Sequence, residues 1–99
     1  MSEIQVFVNE VMGNFRQPYP EDIIDDVFCA IEANTHWLSR YNLFVKEHGK
    51  HSVNPQIGRL VKDYTGLKTI NYPNPPKSTL IKGYSKLGEY NTGNYPEAE

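Results

Sequence analysis

The apolar positions of this chain recur at helical intervals along most of its length. Ile4, Phe7, Val8, Val11, Met12 and Phe15, with Asn9, Glu10 and Asn14 opposite, predict a first helix over residues 4–15. Ile4, Val6 and Val8 also alternate, so a strand over 4–8 competes, but the helix accounts for more residues. Gly13 weakens the last turn, and Pro18 and Pro20 end the helix, because proline disfavours helical backbone in the residue before it. Pro20 then opens a second helix, with Glu21 and Asp22 in its first turn near the positive end of its dipole. Its buried face is Ile23, Ile24, Val27, Phe28 and Ile31. Asn34 as C-cap and Thr35 as N-cap make a short connection, so the third helix is expected as an antiparallel neighbour. That helix carries Trp37, Leu38, Tyr41, Leu43 or Phe44, and Val45, with Trp37 as the expected core anchor, and it runs to Gly49.

A fourth helix is expected to begin at Val53, Asn54 and Pro55 and to stop at Gly66. Asn54 would cap it and Pro55 would take the first helical position, where a missing N–H costs nothing. Ile57, Leu60, Val61 and Tyr64 form its expected buried face, while Gln56, Gly58, Arg59, Lys62 and Asp63 face outward. Residues 67–72 alternate like a short strand, and Pro73, Pro75 and Pro76 then impose an extended loop. Ser78 is a cap for a last short helix over 79–87, with Leu80, Ile81, Tyr84 and Leu87 on one face; Gly83 makes it dependent on docking to the core. The pattern therefore predicts an all-α fold: a small single-domain bundle of four to five helices over residues 1–87, with a disordered C-terminal tail over 88–99 that shows no period.

Within that pattern, the run from Phe44 to Gly49 reads as the end of one helix entering a turn, and Ile57 to Lys62 as a second helix with Ile57 and Leu60 or Val61 buried. Residues 43–62 resemble a helix-turn-helix DNA-binding domain. The stretch Lys50, His51, Ser52 and Val53 makes the turn longer than the tight form, which is closer to winged-helix proteins. There, residues 68–82 would supply a wing and its return strand, for which the prolines leave room only for a short hairpin. The resemblance implies that Gln56 and Arg59 face base edges, while Lys46, Lys50, His51, Ser52 and Lys62 hold phosphates. It also implies a homodimer or larger complex, because one copy makes few contacts. An ordinary antiparallel helix pair has the same apolar spacing and caps, so that alternative stands beside it.

Composition sharpens this picture mainly through charge. The 99 residues suit one domain, and 38% hydrophobic with 22% charged residues is a globular balance. No stretch of about eighteen apolar residues is present, so no membrane span is expected. Acidic residues stand near the start where a secretory signal carries basic ones, and the single cysteine, Cys29, excludes an intrachain disulfide, so a cytoplasmic protein is expected. The net charge of −2 conceals an asymmetry: residues 1–39 hold seven acids against Arg16, residues 40–86 nine bases against Glu47 and Asp63, and the remainder three glutamates. A basic middle over the helix-turn-helix-like segment suits a phosphate-binding face, on which the basic residues cluster; it also suits pairing with the acidic half.

The rival function is a protein-binding adaptor or inhibitor acting through the acidic N-terminal half, where Glu21, Asp22, Asp25 and Asp26 can imitate phosphates. Tyr72, Tyr84, Tyr90 and Tyr95 would enrich such an interaction surface. Catalytic chemistry finds little support. Asp25 and Asp26 point about 100° apart on a helix with no histidine near them, and read as a solvated face. Cys29 reads as a small hydrophobe. His36, His48 and His51 with one cysteine lack zinc-site spacing, and no glycine-rich phosphate loop is present. A non-enzyme with no cofactor and no metal is therefore expected.

Overall fold

Four helices and a short 3-10 helix stand among the described residues, in the order α1 (Glu3–Met12), α2 (Ile23–Ala33), α3 (Thr35–His48), α4 (Lys50–Thr65) and the 3-10 helix Thr79–Tyr84. The computed structural model describes residues 2–68 and 76–84, the last three as backbone alone. The fold is all-α, with no strand among the described residues, and residues 4–8 lie inside α1. Ser2 starts α1 by accepting the Gln5 N–H on its Oγ at 3.1 Å, and Gly13 ends it. Ile4, Phe7, Val8, Val11 and Met12 are buried as their spacing requires.

Helix α2 starts later than Pro20 suggests. The Pro20 carbonyl accepts the Ile23 N–H at 3.1 Å and the Asp22 carbonyl accepts the Asp25 N–H at 3.0 Å, so Glu21 and Asp22 lie in a turn before the helix. Asp25 and Asp26 take the first helical turn instead. Asn34 alone joins α2 to α3. Its Oδ1 accepts the Trp37 N–H at 3.0 Å, so Asn34, not Thr35, caps α3.

Gly49 alone joins α3 to α4, at φ 85° and ψ 149°, a region essentially open only to glycine. Its carbonyl accepts the N–H groups of Ser52 (3.1 Å) and Val53 (2.9 Å), which starts α4 at Lys50. Residues 50–53 are thus the first turn of a helix and not a loop. Pro55 is not at the first helical position: it stands inside α4 and denies the His51 carbonyl its usual donor. Nor does Asn54 cap the helix. Its side chain is fully buried, accepting the Tyr41 hydroxyl at 2.7 Å and donating to the Leu80 carbonyl at 3.0 Å. These two bonds turn the inner face of α4 towards Val53, Asn54, Ile57, Gly58 and Val61. Gly58 is consequently buried, and Tyr64, expected inside, is 44% exposed.

The core lies where α1 packs on α2 and α4, α3 on α2 and α4, and the 3-10 helix on α2. Its centre is Tyr41, Phe7, Phe28 and Met12. Phe28 meets Tyr41 edge-on at 6.2 Å and Phe7 meets Phe44 at 5.5 Å. Trp37 stands at the rim, half-buried, because its indole N–H reaches Glu10 Oε2 at 2.9 Å.

The last described segment is clasped by α2. Asp25, expected in solvent, is buried because it accepts the N–H groups of Lys77 (2.9 Å) and Ser78 (3.1 Å). Asp26 pairs with Lys77 Nζ at 3.0 Å. Glu32 accepts the Ser78 hydroxyl at 2.9 Å and the Thr79 N–H at 3.2 Å. Ser78 Oγ in turn accepts the Leu80 N–H at 3.1 Å, the expected cap, although the helix it opens is a 3-10 one. Residues 76–81 therefore do not form a return strand. Residues 69–75, with most of the expected strand and wing, and 85–99, with the tail, lie outside the described residues. No described helix is long and apolar enough to cross a membrane.

Candidate nucleic-acid interface

The basic residues of the α3–α4 segment divide into a corner and a row. Lys46 lies in the last turn of α3, while Lys50 and His51 lie in the first turn of α4; all three are exposed. The one-residue connection holds these two turns together. It also folds the His51 ring back over Gly49, where a Cβ would stand 3.0 Å from His51 Cε1. Gly49 has no side chain with which to cap α4, so the positive end of the helix dipole faces the same corner. Among the described residues Lys46 and His51 make no ion pair.

Ser52, Gln56 and Arg59, at steps of four and three, form one row along the outer side of α4, and Asp63 continues it. Arg59 is exposed, and Ser52 and Gln56 are half-buried. The Gln56 amide donates to the Ser52 carbonyl and hydroxyl, each at 3.2 Å, so its donors are turned back onto the helix. Lys62 is half-buried and falls on the neighbouring row with His51 and Pro55. Lys50, Arg59 and Lys62 each interact with another group of the chain. The structure thus gathers Lys46, Lys50 and His51, aligns Ser52, Gln56 and Arg59, and sets Lys62 to one side.

Arg40 and Lys77, also of the basic half, pair with carboxylates of the acidic half. Arg40 Nη1 pairs with Glu10 Oε1 at 2.8 Å and lies over the Phe7 ring, 5.0 Å from its centre. The hydrogen bonds from Arg40 and then Trp37 hold the Glu10 carboxyl below its ordinary range. Asp26 raises the Lys77 ammonium correspondingly. Both pairs join the basic half to the acidic half, so the charge asymmetry of the sequence is partly spent inside the molecule.

Cys29 has little nucleophilic character. Burial first, then the Asp25 charge, raises its thiol, and Sγ lies 3.9 Å from Asp25 Oδ1. Among the described residues no three of His, Cys, Asp and Glu are grouped to hold a metal. Sequence reasoning missed the clasp made by Asp25 and Glu32 and the inward turn of Asn54. A signal existed for each: Asp25, Cys29 and Glu32 share one stripe of α2, and Asn54 is in phase with Ile57 and Val61. Compared with protein-family models, with curated proteins and with solved structures, the chain matches none.

Proposed function

We propose that the protein binds duplex DNA without catalysis, as a small cytoplasmic regulator, through the α3–α4 corner and the outer row of α4. One observation carries this: Lys46, Lys50 and His51 stand exposed around the uncapped amino end of a 16-residue helix. Side-chain cations and a helix dipole there attract the same anion, and a DNA phosphate is the anion that a row of further polar groups can follow. Ser52, next to the corner, and Lys62, in the last turn of α4, are the additional phosphate contacts. Arg59, exposed midway along α4, is the group for a base edge. Gln56 joins it only by releasing its bonds to Ser52.

The acidic imitation of phosphates draws less support, since Asp25 and Asp26 are engaged by Lys77 and Ser78. A single α4 offers few contacts, so tight binding calls for a dimer or a larger complex. The test is titration of labelled duplex DNA with the protein at low salt, beside Arg59→Ala and Lys62→Ala. Binding weakened about tenfold by Arg59→Ala, and less by Lys62→Ala, is expected. Absence of binding at low salt overturns the proposal.

A further inference from the structure

Helices α1 and α3 are tied together at one end and open at the other. Glu10 bonds to Trp37 and Arg40, and Phe7 packs on Phe44, so the two helices run past each other with the start of α1 beside the end of α3. Between those ends lies a groove of about 450 Å³ lined by Glu3, Val6, Arg40, Leu43, Phe44 and Glu47. Its apolar walls are two of the three large hydrophobic residues that the described chain leaves exposed, Val6 at 46% and Leu43 at 62%. Phe44 forms the floor, held by Phe7.

The charge of the groove says what fits it. Arg40 is already committed to Glu10 and to the Phe7 ring. Among the described residues Glu3 makes no ion pair, Glu47 meets only the neighbouring His48, whose Nε2 lies 3.6 Å from its Oε1, and both carboxylates are exposed. The groove is therefore an apolar slot with two carboxylates along its rim and its one cation spent. A second copy docking groove to groove would bring four carboxylates together, which like-charge repulsion opposes. We infer that this groove receives an amphipathic helix of a protein partner, with one or two leucine-sized side chains entering between Val6 and Leu43 and flanking lysines or arginines meeting Glu3 and Glu47. Such a partner is one way to form the larger complex, but the groove stands on its own residues and not on those of α4.

The test uses the full chain labelled with ¹⁵N and a synthetic helical peptide with leucines on one face and lysines on the other. A matched peptide carrying glutamates for lysines is the control. Expected are amide shifts centred on Val6, Leu43, Phe44 and Glu47 with the lysine peptide, and none with the glutamate peptide. Leu43→Asp, at an exposed position that leaves the core intact, is expected to weaken binding roughly tenfold, as loss of an interface anchor does. The double variant Glu3→Gln/Glu47→Gln is expected to weaken it and to flatten its salt dependence. Shifts centred on α2, or binding unchanged in both variants, overturn the inference. So does a wild type that sediments as a dimer while Leu43→Asp is monomeric, since the occupant is then a second copy.

Discussion

Removing the side-chain amide of Asn54 takes a partner from two groups at once, the Tyr41 hydroxyl at 2.7 Å and the Leu80 carbonyl at 3.0 Å. Tyr41 is at the centre of the core, so bulk water does not reach it to replace the lost bond without rearrangement. Asn54→Ala is expected to lower unfolding stability by about 2–4 kcal/mol, and Tyr41→Phe by about 1–2 kcal/mol. The double variant is expected to cost less than the sum, because both changes break the same bond. Urea denaturation measures all three; an Asn54→Ala variant as stable as the wild type contradicts the role. In the sequence, Asn54 reads as a cap because asparagine before proline is what a helix start looks like. What outweighs that local preference is the phenol of Tyr41, thirteen residues earlier in the chain, and a carbonyl twenty-six residues later. Asp25 was hidden for the same reason, since its partners Lys77 and Ser78 are distant in sequence.

Elements were more legible than single polar residues. The apolar period placed all four helices and most of the core, because each buried face of 3.6-residue period leaves a pattern that needs no tertiary knowledge. Their starts were less legible. Short turn-closing bonds delay α2, and Gly49, through its own carbonyl, advances α4 to Lys50. The tie between α1 and α3 supplies a test by pH. Hydrogen bonds from Arg40 and Trp37 hold the Glu10 carboxyl below its ordinary value of 4.5. Between the lowered folded value and that ordinary value, the unfolded chain binds more protons at Glu10, so stability rises with pH across this window. The contribution is complete above the ordinary value and is lost as pH falls through the folded one. Glu10→Gln is therefore expected to flatten the acid side of the stability profile, followed by the emission of Trp37, the single tryptophan of the chain. Profiles that stay parallel from about pH 6 to about pH 3 contradict the tie.

At the scale of the whole molecule, charge and size set the terms for any partner. The sequence showed an acidic and a basic half, but not which cations each fold contact would consume. Arg40 and Lys77 pair with Glu10 and Asp26, and Lys46, Lys50 and His51 are exposed at the α3–α4 corner. Across the described residues the longest dimension is 33 Å, about one turn of duplex DNA, so in the proposed binding mode this part of one copy covers one half-site. The measurement that bears most directly on the corner is the salt dependence of duplex binding, compared between the wild type and Lys46→Gln/Lys50→Gln. Loss of two phosphate contacts is expected to make the slope of log affinity against log salt shallower by about two. An unchanged slope, or a wild type that fails to bind duplex DNA at low salt, contradicts the assignment of this corner to nucleic acid.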